Sequence, residues 1–276
     1  MLNRLCGYRL ADIRPGSRER RMRLAGHRSR QWHNRRQSVM IGTMSASRWI
    51  GPFLLASTAV VAAQVPLSKE PRHRVTFENT QLRILDVNIP PGDASLDHRH
   101  DLDIVTVSMT DGTPTRIQTG TQPATERPPR PLGDATVAEY AGKAQSHIVA
   151  NVGKSPYRLF AVENLRTSGW SMGPAAAGLA TKLTQEARAF RLYDVSLGRP
   201  TTQTSHAHAL PTIVVLIAGV VMSDGPDTQA KANPGAPIGL KQLTEPGQWI
   251  LVPAGDTHHV VGLGTGDARV VEIEVR

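Results

Sequence analysis

The sequence predicts an all-β protein built twice over, behind an N-terminal leader of different character. Three observations carry this. From residue 75 onward, short β-branched runs such as "RILDVNI", "DIVTVSM", "YRLFAVE", "TIVVLIAGVV", "QWILVP" and "ARVVEIEV" are separated by Gly, Pro, Asp and Thr, which is the texture of strands and turns. Long segments of the chain recur without gaps. Helical periodicity is confined to "AAAGLATKLTQEA" at 175–187, which reads as a short helix or a linker.

The leader comes first. Residues 1–39 hold eleven arginines, no lysine, and only Asp12 and Glu19 against them, which accounts for the whole formal net charge of +9. The other 237 residues carry 21 basic and 21 acidic groups. A phosphate-binding patch belongs on the folded body, so nucleic-acid binding is excluded there. From Met44 the chain reads "MSASRWIGPFLLASTAVVAAQVP": Arg48, an apolar run from Trp49 to Ala63, then small residues. The run is shorter than the roughly 20 residues that span a bilayer. It has the form of a secretory signal peptide over 44–63, cleaved before Gln64. Residues 1–39 then lie ahead of a later start at Met40 or Met44. The sole cysteine, Cys6, falls in this leader, so the remaining chain forms no disulfide and uses no thiolate ligand. Periplasmic or secreted placement follows as the expectation, with no membrane attachment after cleavage.

The repeats come next. "LRILDVNIPPGDASLDHRH" (82–100) aligns with "FRLYDVSLGRPTTQTSHAH" (190–208), placing His98 on His206 and His100 on His208. "HIVANVGKSPYRLFAVE" (147–163) aligns with "HHVVGLGTGDARVVEIE" (258–274), placing His147 on His258 and Glu163 on Glu274. The expected organisation is a first domain at 75–165, a linker at 166–185 and a second domain at 186–276. Each copy has a Pro-rich insert, 113–133 and 225–247, with the composition of a surface loop.

Side chains two apart on a strand project to the same face. His98 and His100 therefore point together, as do His206 and His208. In each copy a third histidine, His147 or His258, follows about fifty residues later, and closure of a barrel brings it to the pair. Three imidazoles in one place suit Fe, Mn, Cu, Ni or Zn.

On these residues the chain resembles the cupin superfamily in its two-domain, bicupin form. The family's first motif is Gly-x5-His-x-His-x(3,4)-Glu-x6-Gly. Copy one offers Gly92, His98, His100 and Gly112; copy two offers Gly198 two residues early, then His206, His208 and Gly219. The second motif, Gly-x5-Pro-x-Gly-x2-His-x3-Asn, is met by Gly247, Pro253, Gly255 and His258, with Gly262 for Asn; copy one keeps His147 and Asn151. The resemblance covers residues 75–276 and implies two tandem jelly-roll β-barrels. Counting back from the closing glycines, the family's metal-binding Glu falls on Val105 and Thr212, so the motif is degenerate and no Glu stands in either.

The expected function is therefore an exported bicupin holding a divalent transition metal through three histidines per barrel. It acts on a small organic molecule as a dioxygenase or related oxidoreductase, and exposed sheet edges allow a homodimer. The alternative is a non-catalytic binder of metal or ligand, or a structural protein. Asp103 and Thr212 are the nearest candidates for a general base. Glu163 and Glu274 read as outward-facing partners of Arg158 and Arg269, Arg83 and Arg191 as partners of Asp86 and Asp194, and Arg99 as solvent-facing.

Overall fold

A computed structural model describes residues 64–169, 173–176, 182–198, 205–224 and 242–276. The expected leader, residues 1–63, lies outside them, as does most of the second insert. Among the described residues the regular elements are strands, apart from the 3-10 turn Leu67–Lys69, and no described helix is long and apolar enough to cross a membrane.

The first barrel contains β1 (Val65–Pro66), β2 (His73–Glu78), β3 (Leu82–Ile89), β4 (His98–His100), β5 (Ile104–Ser108), β6 (Thr115–Gln118), β7 (Thr125–Arg127), β8 (Ala135–Ala138), β9 (Gln145–Asn151) and β10 (Tyr157–Asn164). The second contains β11 (Lys182–Glu186), β12 (Phe190–Leu197), β13 (His206–Ala207), β14 (Thr212–Ala218), β15 (Val221–Asp224), β16 (Gln242–Leu243), β17 (Trp249–Val252), β18 (Thr257–Gly262) and β19 (Ala268–Val275). The sheet order β2-β3-β10-β5-β8 in one barrel reappears as β11-β12-β19-β14-β17 in the other. The opposing sheets, β1-β4-β9-β6-β7 and β13-β18-β15-β16, carry the histidines.

Alternation along the strands builds three apolar layers. On β3, Leu85, Val87 and Ile89 face the first barrel's interior with Leu159 and Ala161 of β10. The intervening Leu82 and Ile84 join Phe160 and Val162 on the other face, where they pack against Phe190, Leu192, Ile213 and Ile273 of the second barrel. Trp249 closes this layer, 5.5 Å from Phe77. A second interior of Val195, Leu197, Val214, Leu216 and Val270 fills the second barrel. Each large apolar side chain so buried contributes about 1.5–3 kcal/mol, so the strands are apolar on both faces and the barrels share a core.

Polar groups lock the contact. Asp103 is 1% exposed and accepts two bonds from Arg188, 2.6 and 2.8 Å, and one from the Ala141 amide at 2.8 Å. It is a clamp between barrels, so its expected role near the histidines does not hold. Gly133 sits at φ +76°, and a Cβ there would meet Ile217 Cγ2 at 2.7 Å and Arg269 Nη1 at 2.8 Å. Only glycine lets the barrels approach so closely.

Two expectations need correcting. The described end of the 175–187 stretch, Lys182–Glu186, is strand β11, paired with β12 from Lys182↔Asp194 to Glu186↔Arg191; ladder pairing overrides the local helical pattern. The first insert is partly ordered sheet, since Thr115–Gln118 and Thr125–Arg127 pair with each other and extend the β9 edge.

Candidate metal centres

Strand pairing explains why the third histidine comes so much later. Across β4 and β9 the register sets His98 directly opposite His147, and across β13 and β18 it sets His206 opposite His258. Alternation brings His100 and His208 to the same face. Arg99, between ligands, points outward and donates to Asp101 at 2.7 Å. In the second copy the turn Pro253–Asp256, with Gly255 at φ +81°, leads into His258, and the Gly255 amide donates to the His208 carbonyl at 2.7 Å.

In the first barrel the three ring centroids lie 4.6, 4.8 and 5.0 Å apart, and one nitrogen of each lies within 4.8 Å of the others. His98 is fully buried and His100 nearly so. His98 Nδ1–H donates to the Leu96 carbonyl at 2.9 Å, which leaves Nε2 with its lone pair inward. That Nε2 and both nitrogens of His100 are buried without a hydrogen-bond partner, a costly condition that a metal ion would relieve. Burial, reinforced by the neighbouring imidazoles, lowers His98 to about 4, His147 to about 3 and His100 to about 2. All three are neutral at pH 7, the form that binds metal.

The second trio carries something the sequence reading missed. His206, His208 and His258 share their space with Glu272 of β19, all four buried and with one ligand atom each within 4.8 Å of the rest. Glu272 Oε2 lies 3.0 Å from His208 Nε2 and 3.3 Å from His206 Nε2, while its Oε1 and both nitrogens of His258 have no hydrogen-bond partner. Burial acts to raise Glu272, but hydrogen bonds from His206 and His208 hold it down to about 2. Burial lowers His258 to about 4. His208 goes the other way: burial opposes its charge, yet Glu272 and Glu274 raise it to about 9. Without metal this centre holds a proton between carboxylate and imidazole, in the place a cation would take.

Behind the ligands, His208 Nδ1 is 2.8 Å from Glu274 Oε1, and Glu274 Oε2 accepts from Arg191 at 2.8 Å. The counterpart in the first barrel is Arg83 donating to Glu163 at 2.6 Å. Glu163 and Glu274 thus face inward, on the same side as Ala161 and Glu272, and the expected outward pairing is wrong. Arg158 and Arg269 instead bond Asp86 and Asp194 on the opposite face. Two carboxylates spaced i, i+2 in "VVEIEV" were the available signal; like HxH, they mark one strand face.

No Glu stands at the first motif's position in either copy. Thr212 faces inward and donates to the Leu210 carbonyl at 3.0 Å, so it is satisfied locally and is no base. Register sets Ile104 opposite Glu163 as it sets Thr212 opposite Glu274, so the equivalent position in copy one is Ile104. Val105 belongs to the layer between barrels. Asn151 of the second motif is structural: its amide donates to the Ile89 and Ser155 carbonyls at 2.9 and 2.8 Å.

His100 and His147 line a cavity of about 400 Å³ in the first barrel, walled by Val87, Ile89, Leu159 and Tyr140 among others. The second trio's side chains are each at most 5% exposed.

The sequence matches no protein-family model and no curated protein. Its structure is similar to that of a salicylate 1,2-dioxygenase from Pseudaminobacter salicylatoxidans, with TM-score 0.51 and 10% identity over 74% of this chain and 77% of that one. It is also similar to the bacterial pirin YhhW of Escherichia coli in complex with nickel(II), with TM-score 0.50 and 15% identity over 74% and 90%. A cupin 2 conserved barrel domain protein from Leptotrichia buccalis aligns with TM-score 0.45 and 10% identity over 74% and 88%. The fold is that of the cupins. Within that class the chain is bicupin-like: two barrels, each with a clustered histidine trio, and a motif glutamate missing from both.

Proposed function

We propose that the chain is a bicupin metalloprotein with two unlike centres, and that the first barrel's centre acts on a small organic molecule as a dioxygenase or related oxidoreductase. The observation that carries this is the first trio: three neutral imidazoles together, with His98 Nε2 and both His100 nitrogens buried without a partner, and with His100 and His147 on the wall of a cavity of about 400 Å³. His98, His100 and His147 would hold one divalent ion, Fe, Mn, Cu, Ni or Zn, and His206, His208, His258 and Glu272 another. Such an ion supplies Lewis acidity or redox capacity, with coordination positions left for a ligand.

The chain's own residues do the rest. Leu96 fixes the His98 tautomer. Val87, Ile89 and Leu159 give the cavity an apolar side. Three neutral ligands leave a divalent ion its full charge, which favours an organic ligand with an ionisable oxygen. Tyr140, its ring 4.8 Å from His100, has its phenol pushed up by burial and so stays a hydrogen-bond donor on the wall. The same fold serves a salicylate 1,2-dioxygenase, so it accommodates this class of chemistry.

The second centre supports the non-catalytic alternative for that barrel alone. Glu272 balances one charge of a divalent ion, and Glu274 with Arg191 holds His208 in place, the arrangement of a retained, structural ion. Export through 44–63 and dimerisation through sheet edges belong to the same proposal; N-terminal sequencing of protein recovered after secretion should read from Gln64.

Metal analysis of the purified protein tests the reading. Two equivalents per chain, falling to one on replacing His206 and His208 by Ala, are expected, followed by oxygen uptake with candidate substrates. Absence of bound metal under metal-replete expression would leave only a structural role.

A further inference from the structure

The repeat is not exact around the trios. Glu272 belongs to the second alone, and beside the first stands His73 of β2, whose ring centroid lies 4.5 Å from that of His98 and which lines the same cavity. Register sets Arg74 opposite Asp86 as it sets Lys182 opposite Asp194, and the residue before Lys182 in the sequence is a threonine where the first copy has His73.

His73 is built in. Its Nδ1 bonds Glu70, a carboxylate 3% exposed that also accepts from the Arg72 amide at 2.7 Å and the Leu96 amide at 3.0 Å. Three donors onto one buried carboxylate fix it as an anion, and the anion fixes the proton of His73 on Nδ1. The other ring nitrogen, Nε2, takes no part in this pair. Leu96 joins the two systems, since its amide binds Glu70 and its carbonyl holds His98. A buried imidazole oriented this firmly, beside His98 and on the wall of the cavity, is placed to meet a ligand there.

We propose that His73, oriented by Glu70, is a specificity-determining residue of the first barrel: its ring hydrogen-bonds a hydroxyl of the organic ligand, beside the atom that reaches the three-histidine centre. The ligand class is an apolar body with two adjacent oxygens, at least one of them a hydroxyl. His73 is not itself a metal ligand. This rests on the metal reading above for its setting.

The test uses the full chain loaded with Co(II), with 4-nitrocatechol and 4-nitrophenol as probes. The pair differs by the one adjacent hydroxyl. His73→Asn keeps a donor for Glu70 and removes the nitrogen at the ring's far side. The variant should keep both Co(II) equivalents and an unchanged Co(II) absorption spectrum, while the preference for 4-nitrocatechol over 4-nitrophenol falls about tenfold or more. Should that variant not fold, Glu70→Gln, which leaves the ring but removes the charge orienting it, is expected to lower the same ratio by a smaller factor. An unchanged ratio in the variant that folds, or loss of one Co(II) equivalent on changing His73, overturns the assignment and leaves the metal reading standing. Failure of the unaltered protein to take up Co(II) overturns both.

Discussion

Glu272 in the second barrel stands where Ala161 stands in the first: each lies two residues before the glutamate paired with the repeated arginine, Glu274 with Arg191 and Glu163 with Arg83. One position thus separates a three-histidine centre from a three-histidine, one-carboxylate centre on otherwise repeated scaffolds. Glu272→Gln should weaken metal retention by the second barrel at least 100-fold and leave the first unaffected, read by competition with a chelator. Ala161→Glu should have the opposite sense, raising retention in the first barrel.

Glu274 touches no metal position but holds His208 through Nδ1. Glu274→Gln keeps the shape and loses the charge. A fall in metal affinity of about 10–100-fold is expected, with the histidine ligands intact. Equal affinity in both proteins would show that the Nδ1 contact does not orient the ring for binding.

Metal-free protein should lose stability on mild acidification. His98, His147 and His258 are lowered in the fold to about 4, 3 and 4 from 6.5. The unfolded chain therefore binds more protons below pH 6.5. The stability these rings confer is full above that value and is lost as pH falls toward their folded values, by up to about 1.4 kcal/mol per ring per pH unit. His208, raised to about 9, contributes in the opposite sense, with stability present below pH 6.5 and lost as pH rises through 9. Urea unfolding of metal-free protein from pH 4 to 9 should show the steeper loss on the acid side, and bound metal, which needs the same rings unprotonated, should steepen it further.

The contact between barrels rests on the shared apolar layer and on Asp103. Asp103→Ala leaves Arg188 without its bidentate partner and frees the Ala141 amide. A loss of about 2–3 kcal/mol is expected. Gly133→Ala should also destabilise, since its Cβ has no room and its φ is positive. Thermal melts compare both with Asp101→Ala, whose exposed pair with Arg99 should cost little.

The histidine trios were legible because two physical regularities are written directly in sequence: the period-2 alternation that aligns HxH, and the gap-free repeat that marks His147 and His258 as counterparts. Glu272 was not, since β19 was read as exposed on one face. It is covered on both, by the barrel interior and by the other barrel, and a charged residue there has no outward side to take. His73 lies before the repeat's recognisable start at residue 82, so no twin drew attention to it. Asp103 was misassigned because nearness in sequence to His100 says nothing about which side of a strand-to-strand turn a carboxylate takes. Counting back from Gly112 gave Val105 instead of Ile104 because loops of unequal length end at the compared glycines, whereas strand register ignores loops.

Anomalous diffraction from crystals of the metal-loaded protein tests the two centres most directly. Two peaks per chain are expected, one about 2.0–2.2 Å from nitrogens of His98, His100 and His147, the other equally close to His206, His208, His258 and a Glu272 oxygen. Metal bound only at other residues, with both trios bare, would contradict it.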